Sequence, residues 1–129
     1  MSNILFIVGL PCSGKTHLAE KINKDNNYKY IIIDDPKDFS EIESHLESDL
    51  IITDPNLIFP ENRENAIKRI TKLNPNCKID WLFFENNPDR CLINYKIRGS
   101  SKKVESFIKN FSKYYTIPKN SNIVKVWEG

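Results

Sequence analysis

Short unbroken apolar runs alternate along this chain with stretches in which apolar residues recur every three or four positions. Ile4 to Val8 is continuous and apolar, the pattern of a strand buried on both faces. Leu18, Ala19 and Ile22 then share one helical face until the turn-forming cluster Asp25-Asn26-Asn27 stops it. Tyr28 to Ile33 predicts a second strand, rich in β-branched side chains and followed by the pair Asp34-Asp35. Residues 38–48 form a short amphipathic helix around Phe39, Ile42 and Leu46, and Leu50-Ile51-Ile52-Thr53-Asp54 predicts a third strand that again ends in an acid. Pro60 suits a first helical position, with Ala66, Ile67, Ile70 and Leu73 on one face behind it. Lys78 to Phe84 predicts the fourth strand, and Asn87-Pro88 opens a helix that runs toward Arg98-Gly99. A loop containing Ser100, Ser101, Lys102 and Lys103 precedes a helix lined by Val104, Phe107, Ile108, Phe111 and Tyr115. Pro118 ends that region, and Ile123 to Trp127 predicts the last strand.

Strict alternation of strand and helix gives an α/β fold: a parallel sheet covered on both faces and joined by right-handed crossovers. The 129 residues make one domain, 1–129, with no internal repeat. The apolar runs are far too short to span a bilayer, and Met1 to Ile4 lacks the basic region of a secretory signal, so an intracellular protein with no membrane partner is expected. Cys12, Cys77 and Cys91 are odd in number and show no C-x-x-C spacing, which favours neither a disulfide framework nor a zinc site. Net charge is +2, yet residues 1–65 carry 6 basic and 12 acidic groups, whereas 66–129 carry 13 and 5. Such asymmetry suits an anionic partner for the later half, and a solvated lysine surface explains it equally.

The chemistry concentrates between the first strand and the first helix. Gly9 to Thr16, GLPCSGKT, matches the phosphate-binding template G-x-x-x-x-G-K-[ST] in the strand-loop-helix context that the template requires. Glycines let Gly9, Pro11, Cys12, Ser13 and Gly14 curl until backbone N–H groups point at phosphates, and the new helix adds its own unpaired N–H groups. Lys15 then reaches the β- and γ-phosphates of ATP, and Thr16 offers its hydroxyl to Mg²⁺. Cys12 within the loop is a variable filler or, beside the helix N-terminus, a thiol with some thiolate character. Guanine-specific hydrolases use N-K-x-D, and Asn23-Lys24-Asp25 is one residue short of it.

Beyond the loop, LIITDPNLIFPENR (Leu50–Arg63) resembles the strand, D-x-N-L and P-E-x-R sequence of the polynucleotide-kinase family of P-loop kinases. IIIDDPK resembles that family's second strand, and DRCLINYKIRGSSKKV its lid helix. The resemblance implies a sheet order 2-3-1-4-5 and a lid around 95–104. It implies Asp34 as the general base that takes the proton of an attacking hydroxyl, Asp54 as a holder of metal-bound water or a cation, and Arg98 as the lid arginine. Asp35, and less readily Asp34, also suits the cap of a following helix. The family carries an arginine shortly after its Asp-Asp pair and another in the lid helix, where this chain has Lys37 and Asn94. Expected partners are ATP and an acceptor that is a nucleic-acid 5′ end or a nucleotide. A small-nucleotide kinase and a degenerate, non-catalytic nucleotide-binding protein are the alternatives.

Overall fold

Asn3–Val8 (β1) runs through the middle of a five-stranded parallel sheet in the computed structural model, which describes residues 2–99 and 102–128. Ile31–Asp34 (β2), Leu50–Thr53 (β3), Lys78–Phe84 (β4) and Ile123–Val124 (β5) complete the sheet in the order β2-β3-β1-β4-β5, as the resemblance implies. Ile4 pairs with Leu50 on one side and Ile79 on the other, and Asp34 stands beside Thr53. Central strands of a parallel sheet are covered on both faces, which is why β1 and β3 read as unbroken apolar runs. Ile4, Phe6, Ile7 and Val8, with Leu50, Ile51 and Ile52, form the core.

The crossovers are Lys15–Asp25 (α1), the single turn Ser40–Glu43 (α2), Pro60–Leu73 (α3), and the pair Pro88–Arg98 (α4) and Lys102–Ser112 (α5). None of these helices is long and apolar enough to cross a membrane among the described residues. Ser100 and Ser101, expected in the loop between α4 and α5, lie outside the described residues.

Several boundaries differ from the sequence pattern. β2 starts at Ile31 rather than Tyr28, because Asn27 and Tyr28 both turn into the left-handed region at φ 59°. Asn23 takes over the pairing there: its Oδ1 accepts from Tyr30 N at 2.9 Å, and its Nδ2 donates to Tyr30 O at 3.2 Å. The helix expected over 38–48 shortens to α2, and Asp54 caps a 3-10 helix at Pro55–Ile58 by accepting from Asn56 N at 2.9 Å. α5 ends at Ser112, short of Tyr115, whose hydroxyl instead bonds Phe84 O at 2.5 Å at the carboxyl end of β4. β5 keeps only two residues, after which the chain leaves the sheet toward the phosphate loop.

Arg63 shows what part of the LIITDPNLIFPENR segment does locally. Its Nη1 donates to Leu57 O (2.9 Å) and Ile58 O (3.0 Å), its Nη2 to Thr116 Oγ1 (3.3 Å), and the guanidinium lies over the Phe83 ring. One planar fork thereby ties the 3-10 helix to the loop after α5, a geometry that lysine cannot copy.

Candidate active site

All five strands point their carboxyl ends the same way, so the loops after β1, β2 and β3 meet at one edge of the sheet, where open α/β folds collect ligands. The loop after β1 is wound tightly. Ser13 N donates to Leu10 O at 3.2 Å, Cys12 adopts φ 65°, and Gly14 adopts φ 105° immediately before α1. A side chain at Gly14 is doubly excluded, since its β-carbon would also stand 2.7 Å from Trp127 Cβ.

Lys15 folds back over this loop, its Nζ donating to Gly9 O at 3.1 Å and Leu10 O at 2.8 Å. Burial of the ammonium pushes its pKa down to about 8, although Asp34 and Asp35 favour the charged form. Phosphate oxygens beside Nζ would raise that pKa again, so binding of MgATP would take up a proton once the pH exceeds about 8. The expected result is a Kd for MgATP that is flat below that pH and weakens above it by up to about tenfold per unit. Titrations of Trp127 fluorescence from pH 6 to 9.5 measure this, and a flat profile throughout would remove Lys15 from the phosphate site.

Asp34 is the meeting point of three elements. Its Oδ1 accepts from Thr16 Oγ1 at 3.3 Å on α1 and from Thr53 Oγ1 on β3. Asp35, next in sequence, is held by a 2.6 Å bond from its N–H to Thr53 O and takes φ 50°, so the two carboxylates leave the strand differently. The side chain of Asp54 is engaged as the cap described above. Burial raises its pKa, its bond to Asn56 lowers it, and the neighbouring Asp35 raises it again. No group of three or more His, Cys, Asp or Glu side chains able to hold a metal exists among the described residues. Mg²⁺ is bound through one or two protein oxygens together with substrate phosphates rather than by an all-protein cage. Thr16 and Asp34 offer adjacent hard oxygens at the loop, while Asp54 lines the neighbouring cavity.

A cavity of about 590 Å³ joins these groups. Cys12, Gly14, Lys15, Thr16, Asp34 and Arg98 all line it, and Arg98 Nη1 lies 4.0 Å from Cys12 Sγ. Gly9, Pro11 and Ser13 complete the curl without lining the cavity, and Ser13 is fully buried. Arg98 ends α4, and Gly99 caps that helix in the left-handed region, donating its N–H to Tyr95 O at 3.0 Å. Cys91 on the same helix is buried, which pushes its thiol up to about 12 and makes it inert as a nucleophile.

The roles of three residues of this site escaped the sequence reading. Asn94, at the position where the similar family carries an arginine, is buried on α4 and donates from Nδ2 to Cys12 O (3.0 Å) and to Trp127 O (2.7 Å). Trp127 N in turn donates to Ser13 O at 3.0 Å, and the indole lies 5.1 Å from the His17 ring. His17 and Trp127 thus supply an aromatic wall to the phosphate cavity. The sequence marked Asn94 only as a departure from the similar family's arginine, and nothing in the apolar pattern marks Trp127 as more than a strand residue.

A second cavity, of about 410 Å³, adjoins the first. Asp34, Asp35 and Pro55 line the phosphate cavity, whereas Pro36, Lys37, Asp54 and Asn56 line its neighbour, so the loops after β2 and β3 form walls common to both.

No family model matches the chain. An uncharacterized protein of Acanthamoeba polyphaga mimivirus is 29% identical over 123 residues, which cover 88% of this chain and 86% of that one. A gluconokinase from Sinorhizobium meliloti 1021 is similar in structure, with TM-score 0.65, 14% identity, and coverage of 97% of this chain and 82% of that one. A fungal RNA kinase gives TM-score 0.66 and 15% identity over 97% of this chain, which spans 38% of the RNA kinase chain. What this chain has in common with both is the fold of P-loop kinases, with its sheet order β2-β3-β1-β4-β5.

Proposed function

We propose that the protein transfers the γ-phosphoryl group of ATP to a hydroxyl of a nucleic-acid 5′ end or of a small nucleoside or nucleotide. One observation carries the reading: Lys15, Thr16, Asp34 and Arg98, drawn from three separate segments, line a single cavity at the mouth of the phosphate loop. In the reaction, the acceptor oxygen bonds to the γ-phosphorus and the bond from that phosphorus to the β–γ bridging oxygen breaks. ADP leaves with the electron pair. Asp34 orients the attacking hydroxyl and takes its proton, as a carboxylate ionised at neutral pH does. Lys15 balances the charge of the β- and γ-phosphates, and loop N–H groups hold them. Thr16 is the residue that would hold Mg²⁺, which when bound would neutralise phosphate charge. Asp54 would act one layer out, through water.

Arg98 lines the cavity at the end of α4, and in this proposal its guanidinium fork meets the equatorial oxygens of the transferring group while that helix end serves as the lid. Arg98→Ala is expected to lower kcat by about 10²-fold or more, with little change in MgATP affinity, and Arg98→Lys to recover little of it. Equal losses in kcat and in MgATP binding would make Arg98 a ground-state contact instead. The reading as a whole is tested by following label from γ-labelled ATP onto nucleosides, nucleoside monophosphates, and 5′-hydroxyl DNA and RNA. Absence of transfer to every acceptor, with MgATP bound, would favour a nucleotide-binding protein without turnover.

A further inference from the structure

We infer that the second cavity is the acceptor site and that it takes a single nucleoside, base inward, rather than a nucleic-acid strand; the inference rests on the phosphotransferase reading above. Its position follows from the chain itself. The loop after β2 passes from the phosphate cavity at Asp34 and Asp35 into this one at Pro36 to Phe39, and in the loop after β3 Pro55 lines the first while Asp54 and Asn56 line the second, so the two cavities meet along these loops.

The lining selects the chemistry. Phe6, Ile52 and Leu57 make a buried apolar floor, against which the hydroxyls of a sugar or sugar acid would lose their water without gaining partners. A flat heterocycle does not meet that penalty. Around the floor stand the amides of Asn56, Asn62 and Asn65, each offering both donors and an acceptor, the mixed pattern with which the edge of a nucleobase pairs. Asn62 is held in place, since its Nδ2 donates to Asn56 O at 2.8 Å. Phe39 and the Arg69 guanidinium, stacked 4.0 Å apart, close one side with planar groups.

Charge argues against a strand. Two cations, Lys37 and Arg69, line the cavity, and Arg69 lies 3.8 Å from Glu43, while Asp38 and Asp54 line it too. A groove that tracks a polyanionic backbone needs an excess of positive charge, and this one has none. A volume of about 410 Å³ lies toward the small end of ligand pockets. In the step implied, a ribose hydroxyl oxygen of the nucleoside bonds to the γ-phosphorus of ATP, ADP leaves with the electrons of the broken bond, and the proton passes to the Asp34 carboxylate.

Binding can be separated from turnover. Saturation-transfer NMR of the full chain without ATP, against adenosine, guanosine, cytidine, uridine and thymidine, reads the acceptor site. Trp127 fluorescence reads MgATP independently. At least one nucleoside should bind, Ala66→Trp should weaken it by tenfold or more by filling the cavity, and Asn65→Leu, at an exposed position, should weaken it severalfold. MgATP affinity should be unchanged in both variants. Failure of every nucleoside to bind, equal binding to a folded Ala66→Trp or Asn65→Leu protein, or tighter binding of a 5′-hydroxyl oligonucleotide or a sugar acid would each overturn the inference. Nucleoside binding with these losses but without MgATP binding would support the pocket and overturn the phosphotransferase reading alone.

Discussion

Lys15→Ala is expected to lower phosphoryl transfer by about 10³-fold while leaving the protein folded, because it removes a positioned cation from the proposed site of developing charge. The fold tolerates the change. Lys15 Nζ donates to Gly9 O and Leu10 O, but burial already works against its charge. Its pKa in the folded chain, about 8, lies below its usual 10.5, so between those values the unfolded chain holds more protons at this group and its own contribution to stability rises with pH. Lys15→Ala should abolish that rise along with the activity. Thermal melts of both proteins at pH 7.5 and 10 measure it, and normal turnover by a folded Lys15→Ala protein would sink the assignment of the loop.

Asp34→Asn is expected to cut transfer by about 10²–10⁴-fold, the usual range for a lost general base, with MgATP binding retained. Asparagine keeps an oxygen for the Thr16 and Thr53 hydroxyls, so the packing around position 34 should survive. The same geometry offers a rival role, because a carboxylate that touches Thr16 is also placed to hold the metal. The two roles separate in the Mg²⁺ dependence of the residual activity. A base lowers kcat and leaves the half-saturating Mg²⁺ concentration where it was, whereas a ligand raises it. Asp35→Asn serves as the control, since its backbone is already left-handed, a conformation asparagine accepts readily. Loss of activity there, with Asp34→Asn silent, would reverse the assignment.

The sheet was legible because its central strands are apolar on both faces, and a five-residue run such as Ile4–Val8 has few other ways to be buried. The phosphate loop was legible because backbone curvature fixes residue types at fixed spacing. Edges were harder. Tyr28 looks like a strand residue and is the wrong type for φ 59°, so only the side chain of Asn23, pairing with Tyr30 from seven positions away, explains where β2 begins. Asn94 was harder still: what it does depends on Cys12, 82 residues before it, and Trp127, 33 after it, and periodicity carries no record of such distances. Asp54 illustrates a different limit, since the same motif position serves as a cap and faces a second cavity, and neither role has its own spacing.

The bond from Trp127 N to Ser13 O sets an order of events during synthesis. The GLPCSGKT segment leaves the ribosome well before the wall that backs Gly14, which arrives more than a hundred residues later. Contacts so distant in sequence close last and slowly. Nascent chains halted before β5 would therefore display the complete motif without a finished pocket, and nucleotide capture would report release of the full sheet rather than translation of the motif.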